Sequence, residues 1–159
     1  MKYVSDIIAS FEKKLVMVLM FAMAIVVALG VFFRYVLNNP LFWAGEVSIF
    51  LLIYITFLGG SLGLKYKMQA SVTIFTDYLP GNWKKIIDVV GHLFMLVFMA
   101  IILFYCFKWI SSPNVAFQKS SALLLPMWIP YSIIPIGFSF ATIHITNNLL
   151  NIFWGGETK

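Results

Sequence analysis

The chain alternates long apolar runs with short polar breaks. Four runs stand out, at about residues 15–35, 43–64, 89–107 and 127–153. Each is close to the ~20 residues that carry a helix across the hydrocarbon core of a bilayer. Continuous apolar character over that length predicts membrane spans, not the one-sided helices of a soluble core. The whole chain, 1–159, therefore reads as one all-α integral membrane domain with four transmembrane helices.

The breaks refine this picture. Asn38-Asn39-Pro40 predicts a tight turn between the first two spans, because Asn tolerates left-handed backbone and Pro cannot continue a helix. Trp43 falls where an aromatic ring meets a membrane surface, and Glu46 is expected within the first turn of the next helix, where the dipole favours an acid. Residues 2–14 carry Val4, Ile7, Ile8, Phe11 and Leu15 at helical spacing, with Lys2, Ser5, Asp6, Glu12 and Lys13 expected on the other face. That segment is either a helix lying on the membrane or an extension of the first span. Lys13-Lys14 with Ala28-Leu29-Gly30 looks like a leader and its cleavage site, but the apolar run continues past Gly30 and retention is expected. A second surface helix is expected around Val72, Phe75 and Leu79, ended by Pro80-Gly81-Asn82. Pro126, Pro130 and Pro135 crowd the fourth run and predict a kinked or late-starting helix.

Composition agrees: 62% of residues are hydrophobic and 11% charged, against about 25% charged in soluble domains. The net charge of +5 would suggest nucleic acid in a soluble protein, but here the basic residues sit in loops and point to topology and anionic lipid. Lys2, Lys13, Lys14, Lys65, Lys67, Lys84, Lys85 and Lys159 lie on one side, and Arg34, Lys108 and Lys119 on the other. The positive-inside rule then places both termini in the cytoplasm. Lys13, Lys14, Lys65, Lys67, Trp83, Lys84 and Lys85 are the expected membrane-surface anchors. The lone cysteine, Cys106, cannot form an internal disulfide.

Candidate chemistry is sparse. Arg34 and Glu46 flank the first hairpin, as interface residues, as an ion pair, or as a contact for an external partner. Gly59 and Gly63, with Gly60 beside them, form a G-x-x-x-G face for helix packing, within the chain or against a partner. Asp88 and His92 are spaced i, i+4, and with His144 they are the only basis for a membrane enzyme. His144, Asn147, Asn148 and Asn151 form a polar stripe expected to face other helices. No acid lies mid-span, and no hydrolase, zinc-protease or phosphate-loop motif is present. A self-sufficient transporter, oligomerising through the glycine face, therefore lacks an evident ion-coupling site.

Two segments resemble one family. Phe33-Arg34-Tyr35-Val36-Leu37-Asn38, Trp43-Ala44-Gly45-Glu46 and Phe57-Leu58-Gly59-Gly60-Ser61 are similar to the first hairpin of the small membrane subunit of tripartite ATP-independent periplasmic (TRAP) transporters, the DctQ family. Ser121-Ala122-Leu123, Pro126-Met127-Trp128-Ile129-Pro130-Tyr131 and Pro135-Ile136-Gly137 resemble the start of that family's last helix. Gly45 stands where the family pattern has the first of two acids. The resemblance implies a non-catalytic accessory subunit of the bacterial inner membrane, without a cofactor of its own. Its implied partners are a large membrane subunit of about twelve helices, holding the substrate and sodium sites, and a periplasmic substrate-binding protein. Arg34, Trp43 and Glu46 would then help dock the binding protein, while Gly59, Gly60, Gly63, Pro126, Trp128, Tyr131, Pro135 and Gly137 would serve helix packing or the subunit interface. The implied cargo is an organic acid, of sialic acid or C4-dicarboxylate type, with overall likeness leaning to the sialic-acid branch.

Overall fold

A computed structural model describes residues 2–66 and 82–153, with the side chains of residues 82–85 and 153 left aside. The expected surface helix around Val72–Leu79, Lys67 and the side chains of Trp83, Lys84 and Lys85 lie outside the described residues.

The described chain is helical throughout its long elements: α1 (Lys2–Tyr35), α2 (Phe42–Lys65), α3 (Asn82–Ile110), α4 (Pro113–Phe117), α5 (Trp128–Tyr131) and α6 (Ile133–Phe153). Four stretches are long and apolar enough to cross a membrane: Lys2–Tyr35, Phe42–Lys65, Ile86–Ile110 and Trp128–Ile152. The α1–α2 turn and the 111–127 connection share one end, here the hairpin end, and the chain termini mark the other. At the hairpin end Asn38 takes φ 48° in the turn after α1, and Asn39 N–H donates to the Phe33 carbonyl at 3.0 Å.

Residues 2–14 are not a separate surface helix. They continue the first span as one helix of 34 residues, about 51 Å long against a hydrocarbon core of ~30 Å. The facing of this segment also reverses the expectation from periodicity. Ser5, Ala9 and Glu12 are its buried residues, while Val4, Ile7 and Phe11 are exposed. The reason is environmental: where a helix borders lipid or another subunit, its apolar side faces out and its polar side finds partners inside.

The last span begins late. α5 is a single turn, and α6 starts at Ile133 after a break at Ser132. Pro130 and Pro135 lack the N–H groups that a continuous helix would need there, and both are buried. α6 is the middle of the assembly, with α2 packed on one flank and α3 on the other, and α1 packed chiefly on α2. The helices thus lie side by side as a layer, and α1 and α3 form its outer members.

α2 and α6 approach closely at Gly137. A Cβ on Gly137 would stand 2.9 Å from Phe57 Cβ and 3.3 Å from the Phe57 backbone carbonyl. The Phe57 and Phe138 rings meet edge to face at 5.5 Å beside it. A Cβ at Gly59, Gly60 or Gly63 would meet nothing within 4 Å. The G-x-x-x-G face is therefore not where the described helices of this chain come together. Gly137→Ala is expected to lower the thermal midpoint in detergent, with overpacking of about 1–3 kcal/mol. Gly59→Ala should leave it unchanged, and differential scanning fluorimetry on the purified variants checks both.

Candidate functional site

The hairpin end carries the most specific polar arrangement outside the helices. Residues 118–127 fold into a miniature hairpin: Met127 N–H donates to the Gln118 carbonyl at 2.9 Å and Ser120 N–H to the Leu125 carbonyl at 2.8 Å. Ser120 Oγ accepts from Leu125 N–H at 3.1 Å, and Leu124 closes the tip with φ 54°. Such a tip turns successive N–H groups to one side, a concavity that suits an anion. Glu46 fills it. Its Oε1 accepts from Ser121 N–H at 2.9 Å, and its Oε2 accepts from Ala122 N–H at 3.0 Å and Leu123 N–H at 2.9 Å. Hydrogen bonds from amides to a carboxylate are stronger than neutral ones. Glu46 thereby joins α2 to the connection that leads into the last span.

The ion-pair alternative for Arg34 and Glu46 is replaced by this arrangement. Among the described residues Arg34 makes no ion pair; its guanidinium lies over the Tyr35 ring at 5.7 Å. Both acceptor oxygens of Glu46 are engaged by the loop, and Arg34 lines the α1–α2 groove. Trp43 stands one turn before Glu46 and is partly exposed, at 38%. Pro126 lies in the loop's base, bridged to Lys119. Tyr131 stacks at 4.8 Å on Trp109, tying α5 to the end of α3, and Trp128 is half exposed.

A second polar centre lies near the chain termini, where α1, α2 and α6 meet. His144 is fully buried; its Nδ1 lies 2.8 Å from Ser5 Oγ and its Nε2 3.0 Å from Glu12 Oε2, in a pair with no solvent exposure. Asn148 donates from Nδ2 to the Leu64 and Lys65 carbonyls at 3.1 and 3.3 Å, satisfying groups that the end of α2 leaves free. Lys65 reaches back to α1, donating to the Ser5 carbonyl at 3.0 Å and Asp6 Oδ1 at 2.7 Å. It is a link between α2 and α1 as well as a basic residue near an interface, whereas Lys13 and Lys14 are exposed. Ser5 and Glu12 are the partners that sequence periodicity missed. Their i, i+7 spacing with Ala9 between was the available signal, since it marks one helix face of small and polar residues.

The Asp88–His92–His144 constellation does not assemble. His92 Nδ1 donates to the Asp88 backbone carbonyl at 2.7 Å, a contact within one turn, and His144 is committed to α1. Among the described residues no three His, Cys, Asp or Glu side chains form a metal-ligand cluster.

Two outcomes follow from these geometries. Glu46→Gln places an NH2 against backbone donors, so amide exchange at Ser121–Leu123 should accelerate roughly tenfold or more while the spans stay protected, as hydrogen–deuterium exchange would read. His144→Ala leaves Glu12 buried and unpaired, and should destabilise by ~3–5 kcal/mol. The double variant Glu12→Leu with His144→Leu should recover part of that loss in thermal unfolding.

Comparison with known proteins places the chain. Residues 23–154 match the family described as "Tripartite ATP-independent periplasmic transporters, DctQ component". The isethionate TRAP transporter permease protein DctMQ of Oleidesulfovibrio alaskensis is 26% identical over 147 residues, covering 89% of this chain and 23% of that protein. The C4-dicarboxylate TRAP transporter small permease protein DctQ of Vibrio cholerae is 23% identical over 167 residues, with coverage of 91% and 70%. The sialic acid TRAP transporter small permease protein SiaQ of the same species is 23% identical over 152 residues, with coverage of 96% and 87%. These relatives are transporter subunits and not enzymes, and with four apolar helices the chain is a multi-pass protein of the inner membrane. The chain belongs to the DctQ family, the small permease components of TRAP transporters.

Proposed function

We propose that this chain is the small, non-catalytic membrane subunit that widens the fixed scaffold of a large transporting subunit and helps dock a periplasmic substrate-binding protein. The observation that carries the docking role is the Glu46-held loop. A connection fixed by three charge-assisted hydrogen bonds presents a preformed surface, and little ordering cost remains to be met on binding. Its placement outside the cell follows from the basic residues, eight on the side of the termini against three on the other, Lys+Arg totalling 11. Trp43 adds an exposed aromatic edge to the same end.

The scaffolding role is supported by the outer members of the layer. α1 exposes Phe11, Val18 and Phe21, and α3 exposes Phe94, Phe98 and Phe104. Such faces suit lipid or the flank of another membrane protein. The open glycine face at Gly59 and Gly63 is a further place for a partner helix to approach. The DctMQ relative, of which this chain covers 23%, fits a large membrane partner. In this reading sodium coupling and the substrate site belong to that partner, and the cargo is an organic acid of sialic acid or C4-dicarboxylate type.

The test is co-purification from the native host in mild detergent. A stoichiometric large polytopic protein is expected; a monodisperse chain without it overturns the reading. Glu46→Gln is expected to reduce uptake severalfold with that complex intact, since it alters only the loop. Unchanged uptake would count against docking at this loop.

A further inference from the structure

Beside the α1–α2 contact at the hairpin end runs an open groove of about 540 Å³. Val27, Gly30 and Val31 of α1 and Phe42, Gly45 and Ser48 of α2 line it, with Arg34 at its mouth. Small residues make it. Gly30 lets the two helices touch, since a Cβ there would stand 3.4 Å from Ala44 Cβ, and Gly45 leaves the trough unfilled, since a Cβ there would meet nothing within 4 Å. The Ser48 hydroxyl on its wall is occupied, because Ser48 Oγ donates to the Ala44 carbonyl at 2.7 Å.

Arg34 is exposed and makes no ion pair among the described residues. It ends a membrane-spanning helix, with Tyr35 next to it and Trp43 across the turn, the aromatic signature of headgroup depth. Glu46, the nearest acid in sequence on α2, has both oxygens committed to loop amides. From Arg34 the groove descends along α1 to Val26, eight residues or about 12 Å into the hydrocarbon.

A cation at headgroup depth above an apolar trough is the complement of an amphiphile. We propose that this groove binds one anionic phospholipid, with its phosphate on the Arg34 guanidinium and the upper part of an acyl chain in the trough. Arginine suits the phosphate because its planar fork presents paired donors. The volume is that of a small-molecule cleft, ~300–1,000 Å³. A partner helix, ~10–12 Å across with its side chains, is the worse fit.

Native mass spectrometry of the full chain, in the membrane complex with which it purifies, tests this after exchange into phosphatidylglycerol or phosphatidylcholine. One phosphatidylglycerol per chain should be retained, more tightly than phosphatidylcholine. Arg34→Gln should weaken its retention about fivefold, the gain of one basic side chain at an anionic surface. Gly45→Leu should do so by filling the trough, while Gly91→Leu, on α3 and likewise open to a Cβ, should not. Retention unchanged in both Arg34→Gln and Gly45→Leu overturns the proposal. So does a photocrosslinker at Val27 that captures a protein chain instead of lipid.

Discussion

The buried contact of Ser5, Glu12 and His144 is the interaction on which the rest of this fold depends. Hydrocarbon supplies no hydrophobic force between helices, because lipid tails are as apolar as the side chains. Helices of this composition stay together only where polar groups pair or backbones pack closely. The His144 ring joins the first and last helices, and Asn148 joins the last to the end of the second. Lys65 closes the circle back to the first. Three helix ends are thereby held in one register, and α3 can pack on an α6 that is already positioned.

The opposite end obeys the same constraint by other means. A connection rich in serine and leucine has backbone amides to satisfy and no long element to satisfy them. Glu46 supplies the acceptors from a neighbouring helix. The two ends are linked along α2, which carries Glu46 at one end, Phe57 against Gly137 midway, and Lys65 at the other.

This arrangement also explains the division of polar residues in a chain so poor in charge. Buried polar groups near the termini hold helices, and the carboxylate at the hairpin end holds a loop. Arg34 at that end makes no ion pair among the described residues and lies beside a groove made by the absence of side chains at Gly30 and Gly45.

The four spans were legible from the chain's apolar pattern, because apolar runs of bilayer length have one stable outcome in lipid. The broken start of the last span was legible too, since proline removes helix donors wherever it stands. The polar stripe of His144, Asn147 and Asn148 was legible as inward-facing, because polar groups in lipid seek partners. Which partners they find was decided only by the tertiary structure. Ser5 and Glu12 lie 139 and 132 residues from His144, and periodicity alone assigned them to the wrong side of α1. Likewise Glu46 and the amides it holds are 75 to 77 residues apart. Local pattern reports where a segment sits, but a hydrogen bond between distant segments depends on helix rotation and register, which are set where all of the helices meet.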